Sequence, residues 1–124
     1  MKIERLYTPD LNSCQQDDRL SDVAVRMRQA EISAVAVIDD RAELVGIISE
    51  RDLARAVADR VDPDMVQVSQ YATESVELAT PDEDSVEVAE RMIEAGIRRM
   101  PVVSDGRLVG MVSMRDLLAV HTCA

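Results

Sequence analysis

Residues 44–53 read LVGIISERDL and residues 108–117 read LVGMVSMRDL, with seven identities in ten positions. In each copy an apolar run holding a glycine, Val45-Gly46-Ile47-Ile48 or Val109-Gly110-Met111-Val112, predicts a buried strand. A helix-start signal follows at once, because Ser49 and Ser113 are good N-caps and Asp52 and Asp116, three positions later, complete a capping box. Each strand therefore feeds straight into a helix. The junction gathers exposed amides, a hydroxyl, a carboxylate and an arginine, Arg51 or Arg115, at the positive end of a helix dipole. Such a place suits a phosphate, with the carboxylate left for ribose hydroxyls. A single Ser-x-x-Asp reads as a helix start and nothing more; two in one context raise the case for a ligand.

The repetition extends beyond this phrase. Residues 17–40 align with 82–105 with nine identities in 24, among them Val23-Ala24 with Val88-Ala89, Arg26-Met27 with Arg91-Met92, and Ile32 with Ile97. Two copies of about sixty residues suggest a packed pair rather than a solenoid. In the first copy, Leu11-Asn12-Ser13-Cys14 is a short strand candidate, and Leu20, Val23, Ala24 and Met27 mark a helix over about 20–31, with Arg26 outside. Ser33 to Ile38 is a second strand, and the helix after Ser49 runs to about Arg60, ending before Pro63. Residues 61–72 read as a linker. In the second copy, Val76-Glu77-Leu78 is the first strand. Asp84 and Glu87 cap a helix that carries Val86, Ala89, Met92 and Ile93 inward, and Gly96 suits its left-handed end better than Glu31 suits the first. Met100 to Val103 is a strand starting near Pro101, and Ser104-Asp105-Gly106-Arg107 a hairpin turn. The order β-α-β-β-α thus occurs twice, a mixed α/β (α+β) chain with repeats at 1–60 and 73–124.

Composition narrows the function. The chain has 124 residues, 47% hydrophobic, with no Phe or Trp and two tyrosines, Tyr7 and Tyr71, so a bound base would lie between aliphatic walls. A formal charge of −10, with one lysine and dispersed arginines, opposes a polyanion, and nucleic acid is not an expected partner. No apolar stretch approaches the roughly 20 residues of a membrane span, and the N-terminus lacks a signal-peptide core. A cytoplasmic protein with no membrane partner is expected. Cys14 and Cys123 form neither a disulfide framework nor a metal-ligand spacing and read as reduced thiols. With His121 the sole histidine, no nucleophile–base pair or metal cluster can be assembled, so no enzyme is expected.

The β-α-β-β-α order, Thr8-Pro9 or Thr73 before the first strand, Gly-Ile-Arg-Arg-Met-Pro-Val-Val at 96–103, and Gly-x-x-Ser-x-x-Asp at 46–52 and 110–116 together resemble the cystathionine beta-synthase (CBS) domain family. The resemblance covers nearly the whole chain. It implies two domains packed sheet to sheet about a pseudo-two-fold axis, with clefts that take AMP, ADP, ATP or S-adenosylmethionine, and a homodimer of such pairs. It implies no required cofactor and a role in sensing an adenosyl ligand for a separate effector protein; the alternative is an assembly or interaction module with empty clefts. Carried over, it makes Asp52 and Asp116 ribose-binding carboxylates, with Ser49 and Ser113, and Arg51 and Arg115 beside them. The base pocket would then draw on Thr8, Leu11, Ser13, Ile32, Ser33 and Ala36 in the first copy. In the second it would draw on Thr73, Val76, Leu78, Ile97, Arg98 and Pro101. The second cleft, with its glycine and arginine pair, is the one expected to fill, since Glu31 and Glu50 near the first junction oppose an anion.

Overall fold

The computed structural model describes residues 1–9, 12–74 and 76–122; the expectations for Leu11 and Cys123 lie outside the described residues, as do those resting on the side chain of His121. The elements are β1 (Thr8–Pro9), β2 (Cys14–Gln15), α1 (Leu20–Ala30), β3 (Ala34–Ile38), β4 (Leu44–Ser49), α2 (Glu50–Ala58), α3 (Ser85–Ala95), β5 (Arg99–Ser104), β6 (Arg107–Ser113) and α4 (Met114–Thr122), with 3₁₀ turns at Ile3–Arg5 and Val68–Gln70. They make two three-stranded sheets, in the orders β2-β3-β4 and β1-β6-β5.

The chain divides into two compact units, and these do not coincide with the sequence repeats. One is contiguous, residues 12–76; the other is composite, residues 1–11 together with 77–124. In the composite unit Thr8 pairs with Met111 and Pro9 with Gly110, so the head of the first repeat edges the sheet of the second. In the contiguous unit the Ile47 amide donates to the Thr73 carbonyl at 3.0 Å and the Thr73 amide to the Ile47 carbonyl at 2.8 Å, so the head of the second repeat edges the sheet of the first. An offset of 65 residues relates further bonds. Leu20 N–H donates to the Val66 carbonyl at 3.1 Å and Ser85 N–H to the Met1 carbonyl at 2.8 Å, each at the start of a helix. Val68 N–H meets the Asp18 carbonyl at 2.8 Å as Ile3 N–H meets that of Glu83 at 3.0 Å.

Residues 61–72, expected as a linker, pack within the contiguous unit. Val68 is fully buried in a core with Leu20, Val23, Met27, Val35, Val37 and Ile48, and Val61, Val66, Tyr71 and Ala72 pack against it. The Pro63 carbonyl takes the Ser21 amide at 3.1 Å, which satisfies another orphan donor of α1. Ile3 fills the equivalent place in the second core, with Ala79, Val88, Met92, Met100, Val102, Val112 and Leu117.

The first strand of each repeat also falls later than expected. Cys14 and Gln15 pair in parallel with Val37 and Ile38, and in the other unit the contact shrinks to Ala79 beside Val102. Val76, Glu77 and Leu78 form no strand, because the chain up to Thr73 is still held on β4 and the next ladder bonds form at Ala79, whose amide donates to the Pro101 carbonyl at 2.9 Å.

The helices bury a narrower stripe than expected. In α1 this is Leu20, Val23 and Met27, with Ala24 outside. In α3 it is Ser85, Val88 and Met92, a spacing of i, i+3 and i+7 along one face. That phase leaves Val86 45% and Ile93 70% exposed, and Ala89 half-buried, correcting the expectation that these residues point inward with Met92. Arg26 is half-buried rather than outside, donating to the Ser13 carbonyl at 2.7 Å. Asp84 caps α3 by accepting the Val86 amide at 3.1 Å, and this bond holds its carboxyl below the ordinary range. Both α1 and α3 end on a left-handed residue, Glu31 at φ 56° and Gly96 at φ 67°, so the first helix carries the strain that glycine spares the second.

The glycines of the repeated phrase are explained by the exchanged heads. A Cβ on Gly46 would sit 2.6 Å from the Thr73 carbonyl oxygen, and one on Gly110 would collide with the Thr8 carbonyl and the Tyr7 ring. A bare backbone is needed where a second backbone lies this close. Replacing either by alanine, Gly46→Ala or Gly110→Ala, is expected to lower stability by about 1–3 kcal/mol, the usual cost of forcing extra volume into packed structure. Chemical denaturation of each variant measures this, and an unchanged midpoint would contradict the close approach.

Candidate functional site

Both strand-to-helix junctions form as the sequence suggested, and each draws its residues from one compact unit. At the β4–α2 junction the Ser49 amide donates to Asp52 Oδ2 at 2.8 Å, the Ser49 hydroxyl to the same oxygen at 3.0 Å, and the Asp52 amide to Ser49 Oγ at 3.3 Å. At the β6–α4 junction the Ser113 amide reaches Asp116 Oδ2 at 3.3 Å and the Asp116 amide reaches Ser113 Oγ at 3.1 Å. The next amide is also taken: Glu50 N–H donates to the Ser33 carbonyl at 3.0 Å, and Met114 N–H to the Arg98 carbonyl at 2.8 Å. These bonds draw the loop before β3, or before β5, onto the helix start. They also consume most of the exposed amides that the sequence offered to a phosphate, so charge for an anion has to come from the exposed side chains of Arg51 at one junction and of Arg98 and Arg115 at the other.

The exchange of heads regroups the candidate residues. Thr73, Val76 and Ser13 belong to the contiguous unit with Ile32, Ser33, Ala36, Ser49, Arg51 and Asp52. Thr8 and Leu78 belong to the composite unit with Ile97, Arg98, Pro101, Ser113, Arg115 and Asp116. Thr8 was expected with Asp52 and Thr73 with Asp116; each instead pairs with the strand that leads to the other carboxylate, Thr8 with Met111 of β6 and Thr73 with Ile47 of β4. Thr8, Thr73 and Leu78 are exposed, Ile97 is half-buried, and Ala36 and Pro101 are buried in β3 and β5. Cys14 is buried, 1% exposed, within the first core.

The two carboxylates differ in what surrounds them. Asp52 is 5% exposed and its second oxygen, Oδ1, accepts the Arg55 guanidinium at 3.0 Å, so both oxygens are engaged. Arg55 lies over the ring of Tyr71, 5.7 Å from its centroid, and the Tyr71 hydroxyl donates to Asp59 at 2.8 Å, a bond that raises the phenol above its ordinary pKa. Asp116 is half-buried, and among the described residues its Oδ1 has no partner. The residue three positions on is Ala119, where the first repeat has Arg55. Arg55 and Tyr71 were missed in the sequence; the signal was present in the i, i+3 spacing of Asp52 and Arg55 and in the rarity of aromatics.

A family model described as the CBS domain matches residues 3–59 and again 68–121. The chain is a pair of CBS domains. The protein YlbB of Bacillus subtilis is 35% identical over 118 residues, covering 94% of this CBS pair and 79% of YlbB. Protein MJ1225 of Methanocaldococcus jannaschii is 39% identical over 87 residues, 70% of this chain; the chain spans 31% of MJ1225 and 52% of MK0525 of Methanopyrus kandleri. Among solved structures, Hypoxic Response Protein I with two coordinated zinc ions superposes with a TM-score of 0.88 at 25% identity, covering 98% of both chains. The CBS pair of MJ0100, in complex with 5′-methylthioadenosine and S-adenosyl-L-methionine, gives 0.87 at 24% identity over 99% of this chain and 97% of that one, a likeness of fold. Among the described residues no group of three or more His, Cys, Asp or Glu is placed to hold a metal ion, and no helix is long and apolar enough to cross a membrane.

The unequal capping networks lead to an unequal cost on truncation. Ser49→Ala removes a cap and one donor to a buried carboxylate, whereas Ser113→Ala removes a cap beside a half-buried one. A lost cap costs roughly 0.5–2 kcal/mol, and an under-satisfied buried charge adds to it. Thermal melts of the two variants are expected to show the larger fall for Ser49→Ala; equal falls would mean that Asp52 draws nothing from the hydroxyl.

Proposed function

We propose that this CBS pair is a regulatory module, not an enzyme, that takes an adenosine-containing ligand (AMP, ADP, ATP or S-adenosylmethionine) at the Ser113–Asp116 junction and passes its occupancy to an effector protein. The observation that carries the reading is the open Oδ1 of Asp116, a carboxylate oxygen at a helix start with no partner among the described residues. A ribose diol is a fitting donor for it, since an ionised carboxylate accepts hydrogen bonds and gives none. Thr8 on the neighbouring strand, Ile97 in the loop before β5, and the exposed Arg98 and Arg115 supply polar, apolar and cationic contacts in the same unit. Further support comes from MJ0100, a CBS pair of the same fold whose structure holds adenosyl ligands. Signalling in this reading works in the cytoplasm, through a homodimer whose two states the ligand binds unequally.

The second reading, an assembly module whose Ser-x-x-Asp motifs only cap helices, is favoured at the other junction, where Asp52 is fully engaged. Thermal-shift measurements with AMP, ADP, ATP, S-adenosylmethionine and the guanine nucleotides separate the two, because a ligand that binds the native state raises its apparent stability. A dose-dependent rise with an adenosyl compound, weaker with its guanine counterpart and abolished in Asp116→Ala, whose ligand-free melt falls by no more than a lost cap, is the expected result. No rise with any compound at millimolar concentration, or an Asp116→Ala variant that binds as before, would overturn the proposal.

A further inference from the structure

The strand-to-helix junctions are built from the same phrase, yet one of them already has a cation in it. Asp52 Oδ1, the atom that corresponds to the open oxygen of Asp116, is occupied by the Arg55 guanidinium at 3.0 Å, while Oδ2 takes both donors of Ser49. We propose that Arg55 is a latch that closes the Ser49–Asp52 junction, so that this CBS pair takes one adenosyl ligand rather than two. The inference rests on the reading of Asp116 as a ribose-binding carboxylate and adds what decides how many such sites are open.

A ribose that engages a carboxylate through adjacent hydroxyls needs access to oxygen lone pairs on one edge of the group. At Asp52 the Ser49 amide and hydroxyl and the Arg55 guanidinium spread over both oxygens, and the residue is 5% exposed. An incoming diol must first displace the guanidinium, and with it a charge-assisted bond.

Arg55 is braced for this place from outside its own helix. The Tyr71 ring lies under the guanidinium at 5.7 Å, and the Tyr71 hydroxyl is fixed by Asp59 at 2.8 Å. Tyr71 sits on the exchanged head, two residues before Thr73, which the Ile47 ladder bonds hold. The side chain of Arg55 is still 59% exposed, and a groove of about 370 Å³ lined by Arg55, Asp59, Val61, Val66, Gln70 and Tyr71 gives it room to swing clear. The contact is thus a closure that can open, not a buried strut. In the composite unit the equivalent of Arg55 is Ala119 and that of Tyr71 is Leu6, so the sequence does not repeat this braced arginine there, and among the described residues no cation is paired with Asp116.

Exchanging the two residues tests the latch. Wild type, Arg55→Ala, Ala119→Arg and the double variant are titrated calorimetrically with AMP and with S-adenosylmethionine, each after a thermal melt that confirms a folded protein. The expected numbers of sites at wild-type affinity are one, two, none and one, the site that remains in Ala119→Arg being weakened at least tenfold; Ala119 is exposed. Wild type binding one equivalent while Arg55→Ala also binds one would overturn the latch and leave the reading of Asp116 standing. Two equivalents on wild type would overturn it as well, since the Asp52 junction would then be open with Arg55 in place. A silent wild type with one site appearing in Arg55→Ala would support the latch and remove the assignment to Asp116. If Arg55→Ala fails to fold, Ala119→Arg decides: undiminished binding there counts against the latch. Silence from every folded variant removes both proposals.

Discussion

The close approach of two backbones at Gly46 and Gly110 is the constraint on which the rest of this CBS pair depends. At each place the head of one repeat lies against the central phrase of the other, with a carbonyl, of Thr73 or of Thr8, where a side chain would otherwise stand. Those contacts let Ile47 and Thr73 exchange both backbone hydrogen bonds, and let β1 add to β6. Once the heads are in place, Val68 and Ile3 enter the cores, and the carbonyls of Val66 and Met1 satisfy helix-start amides on α1 and α3. One glycine per repeat thus governs a sheet edge, a core residue and a helix cap together. It also decides which threonine edges the strand that leads to each carboxylate.

Much of this was legible in the sequence, for physical reasons. The duplicated Ser-x-x-Asp after an apolar run specifies a strand running directly into a capped helix, and both junctions form with the reciprocal Ser–Asp bonds of a capping box. Strands β3 to β6 and helices α1 to α4 fall close to their expected places because each has either a continuous apolar run or a clear helical period. The exchange was not legible. Local pattern says that Thr8 begins one repeat and Thr73 the next, but strand pairing is a long-range choice, and an edge residue carries no mark of its partner. For the same reason 61–72 read as a connection, since Asp62, Pro63 and Asp64 look like a loop while the two residues that anchor it, Val68 and Tyr71, are isolated.

The helix phase of α3 shows a different limit. Val86, Ala89, Met92 and Ile93 form a plausible apolar face by spacing alone, yet the helix turns Ser85, Val88 and Met92 to the core. Its start is fixed by the Ser85 amide on the Met1 carbonyl, a contact from the exchanged head that periodicity has no means of including. The difference between the carboxylates belongs to the same class. Asp52 and Asp116 are identical in motif, and what separates them is a side chain one helical turn further on, Arg55 against Ala119, braced by an aromatic residue from the head of the other repeat. The motif is the same at both junctions, and a residue of each junction's own helix, braced in one case from the exchanged head, makes them unequal in charge and access.

The most direct measurement of the exchange is disulfide trapping in the full chain. Ile47→Cys with Thr73→Cys places two thiols on directly opposed residues of an antiparallel pair, where the usual Cα separation of about 5.5 Å suits a disulfide. Thr8→Cys with Met111→Cys does the same on β1 and β6. Mild oxidation followed by peptide mapping is predicted to yield an intrachain 47–73 bond in the first variant and an intrachain 8–111 bond in the second. Absence of both bonds would mean that the heads are not exchanged, and the regrouping of threonines and carboxylates would fall with it.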